Sequence, residues 1–250
     1  MNTIALYNLK GGVGKTTTAV NLACLSAAAK QNTVLWDWDP QGAVGWYFGI
    51  DQLPKKSIRL FSQGAAVGTL EVTTPYPHLS VIPADLSLRK MDIELAQKGS
   101  AGRVIRKLIE PLGENAATLV FDCPPTLSPS IEYLLSGVDL VLVPMIPSPL
   151  SVRAMHQVVE FFEGKKRAPQ RIVGFFSQVD LRRNLHKETL ANAKKMPVPM
   201  LKTWIPIDSA AEQMSERRAP LVTYAHFGRA AIAYRKMWRE VNRLLAKPVP

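Results

Sequence analysis

Short apolar runs closed by polar or turn-forming residues recur along the chain. They alternate with longer stretches of helical character. Ile4-Ala5-Leu6-Tyr7 reads as a buried strand, and the Ala-rich residues 18–29 that follow have strong helix propensity. Residues 33–36, 79–84, 118–121, 139–144, 171–180 and 198–206 predict further strands. A basic helix over 100–112, with Arg103, Arg106 and Lys107 on one side, and a helix over about 148–163 fall between them. Strands that are apolar throughout and separated by helices predict an α/β fold: a mostly parallel twisted sheet with helices on both faces. Residues 43–78 carry a weaker pattern. Trp46, Tyr47 and Phe48 cluster as core or interface aromatics, and Pro54-Lys55-Lys56 and the Gly/Ala-rich residues 64–68 read as loops and short helices.

From Ile232 onward, Ile232, Tyr234, Met237, Trp238, Val241, Leu244 and Leu245 recur at helical spacing, opposite a basic face. Three roles fit this helix. It packs on the sheet, which amphipathic helices most often do; it lies on a membrane; or its basic face meets DNA.

At 250 residues the chain is long enough for one α/β domain, taken as 1–250. No apolar stretch reaches the ~18 residues of a membrane span, and strand signals begin at once, without the pattern of a secretory leader. Cys24 and Cys123 have no CxxC or Cys/His partner, and the histidines at 78, 156, 186 and 226 lack metal-ligand spacing. These features predict a cytoplasmic protein and argue against disulfide, zinc and iron–sulfur chemistry. The net charge of +11 and a pI near 9.8 point to a polyanionic partner, either nucleic acid or an anionic membrane surface.

The chemistry concentrates at Lys10-Gly11-Gly12-Val13-Gly14-Lys15-Thr16-Thr17, between the first strand and the first helix. Glycines let the backbone turn tightly and direct N–H groups inward, and the helix N-terminus adds its dipole. This is the setting of a phosphate loop: Lys15 reaches the β- and γ-phosphates of a nucleotide and the Thr16 hydroxyl ligates Mg²⁺. The first glycine of the ordinary pattern is missing, since Leu9 stands there, and a second lysine, Lys10, follows it. Two acids complete the constellation. The strand at 33–36 runs into Asp37-Trp38-Asp39-Pro40-Gln41-Gly42, and the strand at 118–121 ends in Asp122-Cys123-Pro124-Pro125. In parallel sheets ligands bind beyond the carboxyl ends of the strands, so Asp39 and Asp122 belong beside the loop, placed to hold Mg²⁺ and an attacking water.

This octet resembles the deviant Walker A box of the ParA/MinD family of ATPases. Asp-x-Asp-Pro-Gln-Gly is similar to that family's switch I, Asp-x-Pro-Pro to its switch II opening, and Leu79-Ser-Val-Ile-Pro-Ala84 to a marker segment of its fold. The resemblance implies a P-loop fold of the deviant type and a Mg²⁺-dependent ATP hydrolase with ATP/ADP as ligand. In it Lys10 reaches across a nucleotide-sandwich homodimer to the partner's phosphates, and Asp39 positions water with Asp37 in support. It also implies that the residues around Pro206 and Asp208 close over adenine. Ser177-Gln178 departs from the family's usual Asn or Thr-Met, and Asp208 stands where Asn is frequent. The resemblance further implies non-specific DNA binding on the nucleoid through late arginines, matched here by Arg182, Arg183, Arg217 and Arg218. A partner protein on a cargo would stimulate turnover. The alternative within the family is a MinD-like membrane-associated ATPase. Strand signals by residue 3 leave no room for an N-terminal helix-turn-helix.

Overall fold

The computed structural model describes residues 1–53, 56–63, 66–98, 101–165 and 167–247. The expected loop at Pro54-Lys55, the Gly64-Ala65 pair, Ser100 at the start of the basic helix and Lys166 lie outside them.

Seven strands form one sheet: β1 (Asn2–Leu6), β2 (Thr33–Asp37), β3 (Val72–Thr73), β4 (Leu79–Ile82), β5 (Thr118–Asp122), β6 (Leu140–Met145) and β7 (Ile172–Phe176). Their order is β3-β4-β2-β5-β1-β6-β7, and every pairing is parallel except the edge pair β3–β4. The parallel core follows from the apolar runs. Ile4 and Leu6 of β1 enter the hydrophobic layer beneath one face, and Ala5 and Tyr7 enter the layer on the other. A strand with both faces covered must be apolar at every position, and β1, β2, β5 and β6 are buried almost end to end.

One layer contains the helices Met91–Gln97, Ala101–Ile109, Pro129–Gly137 and Pro149–Phe162. Two of these begin at Ser-Pro pairs, where the Ser128 and Ser148 hydroxyls accept N–H bonds from the first turn and proline occupies the first helical position. The other layer holds α1 (Lys15–Ala28) and the C-terminal helix Arg229–Leu245. Ala230, Ala231, Ala233, Tyr234, Met237, Trp238 and Val241 bury the apolar face of that last helix against α1 and the sheet. The core-facing reading of the amphipathic pattern therefore holds. Among the described residues no helix is long and apolar enough to cross a membrane.

Three expectations shift. The basic helix ends at Ile109, and residues 110–114 continue as a tighter turn containing Pro111. β7 stops at Phe176 because Gln178 adopts a left-handed backbone (φ 52°) that turns the chain. Residues 198–206 form no strand: Met200 and Pro206 make single parallel bridges to Gly174 and Val179. Pro197, Pro199 and Pro206 each lack the N–H that a continuous ladder requires.

Met237, fully buried under the sheet, tests this packing. Met237→Ala should lower unfolding stability by about 2–5 kcal/mol, measured by urea denaturation; a change within about 0.5 kcal/mol, as for surface sites, would show that the helix does not close the core.

Candidate nucleotide site

The carboxyl ends of β1, β2 and β5 meet at one place. Asp37 and Asp122 are register partners on adjacent strands, and the loop between β1 and α1 passes over them. Gly12 (φ 71°) and Gly14 (φ 91°) hold left-handed conformations, so the loop turns where residues with a Cβ would be strained. A Cβ at Gly11 or Gly12 would meet nothing within 4 Å, and the concave side is open. Gly14 caps α1 without any side-chain acceptor, and no acid lies in the first turn. The helix N-terminus thus offers its free N–H groups and dipole to an anion.

Lys15 is buried, and its Nζ donates to the Lys10 carbonyl at 2.9 Å, arching over the loop. Burial lowers its pKa, partly offset by Asp122 and Asp39. The Thr16 hydroxyl donates to Asp122 Oδ2 at 2.6 Å. Asp122 Oδ1, fully enclosed, has no hydrogen-bond partner among the described residues. Burial pushes this carboxyl up to about 7, and Thr16 and Lys15 pull it down while Asp39 pushes it further up. A buried carboxylate with a spare oxygen beside a hydroxyl is a donor set that fits a hard cation such as Mg²⁺. The loop beside it fits a polyphosphate.

Asp37 is fully buried. Its two oxygens accept N–H bonds from Asp39 (2.9 Å) and Val44 (3.1 Å), and burial followed by Asp122 raises its pKa. It fixes the turn that carries Asp39. Asp39 lines the cleft, and one of its oxygens accepts the Gln41 N–H at 2.9 Å. Gly42 (φ 65°) ends the turn, and a Cβ there would meet the Ala84 carbonyl oxygen at 2.6 Å. α2 (Ala43–Tyr47) follows, and Tyr47 also lines the cleft.

The cleft has a volume of about 600 Å³. It is lined by Gly11, Gly12, Gly14, Lys15, Thr16 and Thr17 of the loop and α1, and by Asp39, Pro40, Gln41, Arg89, Pro124, Pro125 and Thr126, which follow the neighbouring strands β2, β4 and β5. Lys10 is not among its lining residues. Of the octet's two lysines, Lys15 lines the cleft and Lys10 is half-buried on the same loop.

Sequence reasoning missed the residues that brace this loop. Ser177 Oγ donates to the Val13 carbonyl at 2.7 Å, and Gln178 Nε2 to the Gly12 carbonyl at 2.6 Å. The left-handed turn at Gln178 aims both side chains at the loop, and no motif marks it. Pro206 and Asp208 do not line the phosphate cleft. Asp208 accepts N–H bonds from Ala210 (3.0 Å) and Ala230 (3.1 Å), tying the start of the C-terminal helix to the segment before it. Arg182 forms a two-pronged pair with Asp180, and Arg183 is exposed. Arg217 stacks on Tyr224, and Arg218 pairs with Asp51 and stacks on Trp46.

Fold and loop together define a P-loop protein of the deviant, two-lysine type. A family model described as an AAA domain matches residues 1–172. The chain belongs to this family and is of the ParA/MinD type within it. It is 32% identical over 167 residues to the chromosome partitioning protein ParA of Caulobacter vibrioides, a match covering 65% of this chain and 62% of that protein. The chain thus spans less than two thirds of that relative's length. It is 29% identical over 247 residues to the sporulation initiation inhibitor protein Soj of Bacillus subtilis, covering 95% of this chain and 97% of Soj. Among solved structures, cobyrinic acid a,c-diamide synthase from Mycobacterium smegmatis with a bound ATP analogue and magnesium shares the fold. Its TM-score is 0.83, with 21% identity over 99% of this chain and 96% of that one.

The raised carboxyl at Asp122 fixes a sign. Its folded pKa of about 7 lies above the unfolded value of ~3.9, so the folded state holds the proton longer. Stability of the nucleotide-free protein should therefore fall as pH rises from about 4 to about 7. Asp122→Asn should reduce that slope and raise Tm at neutral pH, measured by thermal unfolding across pH. An unchanged slope would place the cost of buried charge elsewhere.

Proposed function

We propose that this chain is a ParA-type ATPase, one domain across its length, that hydrolyses ATP with Mg²⁺ as a sandwich dimer and positions or segregates a cargo. The observation that carries the reading is the pair of lysines on one loop: Lys15 lines its own cleft, and Lys10, whose carbonyl accepts the Lys15 ammonium, is not among the lining residues. A lysine so placed suits the phosphates of a second subunit's nucleotide. Within one subunit the N–H groups of residues 11–17 cradle the phosphates, and Lys15 binds the β- and γ-oxygens. The Thr16 hydroxyl and the Asp122 and Asp39 carboxylates would hold Mg²⁺, which neutralises charge on the phosphates when bound. Asp39 orients the attacking water, and its own position is set by Asp37. The partition names of the relatives and the ATP analogue and magnesium in the cobyrinic acid synthase support this assignment.

The DNA half of the proposal rests on the +11 charge and on exposed arginines. Arg182 is 86% exposed in its side chain, and Arg183 beside it is also exposed. These would meet the phosphates of any duplex on the nucleoid, and a protein on the cargo would trigger hydrolysis and release. The MinD-like alternative has less support, because the basic amphipathic helix spends its apolar face on the core.

Size-exclusion chromatography with light scattering tests the dimer. The wild type should dimerise with ATP and not with ADP. Lys15→Ala should lose nucleotide binding. Lys10→Ala should retain binding and lose the dimer or its turnover, and Asp39→Ala should accumulate as an ATP-bound dimer. Normal turnover in Lys10→Ala would overturn the two-lysine assignment.

Binding to arbitrary duplex DNA should require ATP. Its affinity should fall by roughly two or more orders of magnitude between about 50 and 200 mM salt if several phosphates are contacted. Salt-insensitive or absent binding in a filter or anisotropy assay would remove the DNA step.

A further inference from the structure

The cleft contains a second cation that neither the octet nor the acid motifs predict. Arg89 lines the cleft together with the phosphate loop, Asp39, Pro124, Pro125 and Thr126. It follows β4, which the sheet order places beyond β2 and β5 from β1, the strand that leads into the phosphate loop. Its place is built. The tight turn Leu86–Lys90 is capped by Asp85, which accepts the Ser87 N–H at 2.7 Å and the Ser57 N–H at 2.9 Å. Leu88 and Met91, on either side of Arg89 in sequence, are buried in the core and hold the turn down. Arg89 itself is exposed to the cleft, and among the described residues no ion pair or hydrogen bond involves its side chain. That sets it apart from Arg182 and Arg218, whose guanidinium groups are paired with Asp180 and Asp51.

We infer that Arg89 is a binding residue for the terminal phosphate of a nucleoside triphosphate, acting within one subunit; this rests on the nucleotide-binding reading above. The position argues for the terminal phosphate over the inner ones. The loop amides and Lys15 serve the phosphates next to α1, and Thr16 with Asp122 marks where a cation bridging the β- and γ-oxygens would sit. Arg89 follows β4, the strand next to β2, which leads to Asp39, the residue assigned to the attacking water; both strands lie on the far side of β5 from the loop's own strand β1. A guanidinium there meets the oxygens that a triphosphate has and a diphosphate lacks. Its planar fork suits two of them at once.

The charge balance agrees. Asp37, Asp39 and Asp122 converge on the site, whereas Lys15 and Arg89 are the cations in the cleft wall among the described residues. Removing Arg89 would leave one cation facing both the carboxylates and an added phosphate. The residue therefore contributes to discrimination between triphosphate and diphosphate, separately from Lys10, which would act from a second subunit.

Titrations of a non-hydrolysable fluorescent ATP analogue and of fluorescent ADP, both with Mg²⁺, test the inference on wild type, Arg89→Gln and Arg89→Lys. Arg89→Gln should weaken the triphosphate about 10-fold or more, the scale of a lost charge-assisted hydrogen bond. Binding of ADP should stay within about twofold of wild type, because nothing at Arg89 touches a diphosphate. Arg89→Lys should recover part of the loss, since it keeps the charge and forfeits the fork. Circular dichroism and an unchanged Tm check that the variants fold. Equal weakening of both nucleotides, or none of either, overturns the role of Arg89 while leaving nucleotide binding intact. A wild type that binds neither nucleotide overturns the ATPase reading itself, and this inference with it.

Discussion

The carboxylate of Asp122 is the constraint around which the molecule is arranged. It sits at the end of β5, enclosed, with Asp37 beside it in register on β2 and one oxygen without a partner among the described residues. Taking a carboxylate out of water costs several kcal/mol even after relaxation, and a second acid next to it raises that cost. Thr16 returns only part of it. A fold that keeps such a pair buried gives up stability at that place, as functional sites commonly do. The ordinary residue at the end of an interior strand would be apolar. The departure from that rule locates the site more surely than the glycines do.

The rest of the chain holds the groups around Asp122 in place. α1 carries the loop, so the loop is only as fixed as α1 is. The C-terminal segment clamps that helix from outside. Thr18 meets the Tyr234 hydroxyl at 3.3 Å, and Asn21 donates to the Thr17 carbonyl at 2.7 Å while accepting the Val222 N–H at 3.1 Å. Asp208 anchors the start of the last helix. From the other side Ser177 and Gln178 hold the Val13 and Gly12 carbonyls. Three remote stretches of sequence thus converge on a loop of eight residues.

What the sequence disclosed divides along physical lines. Interior strands were legible because burial on both faces forces an apolar run, and β1, β2, β5 and β6 lie within a residue or two of the expected spans. The loop and its acids were legible because phosphate chemistry permits few residue types. The C-terminal helix was legible as amphipathic, but its partner was not: a 3–4 spacing shows that a face is apolar without showing what covers it. Residues 198–206 misled because apolar content was weighed above Pro199 and Pro206. Ser177 and Gln178 stood out only as a departure from the family's residues; their bracing role, like the place of Arg89, was not legible, for a different reason. Each is an ordinary polar residue whose role comes from a turn, a left-handed backbone at Gln178 and a capped 3₁₀ turn before Arg89, and from a loop more than seventy positions away in sequence.

The arginines pose a last question of energetics, because two of the four named for DNA are already paired. Arg182 grips Asp180 and draws that carboxyl down to about 2, and Arg218 grips Asp51 while stacked 4.3 Å from the Trp46 ring centre. Pairing does not remove either from a polyanion's reach. The Arg182 side chain is 86% exposed and that of Asp51 62%, and ion pairs open to solvent on one side add little because water and salt screen them. A DNA phosphate can replace such a carboxylate and also release condensed counterions, a gain the intramolecular pair does not have. The two arginines differ in what else would be lost. Arg182 leaves only Asp180, whereas Arg218 also leaves an aromatic face and the Trp46 carbonyl next to α2. Contact through Arg182 and Arg183 therefore requires little rearrangement, while contact through Arg218 would disturb the turn that carries Asp39 at its other end.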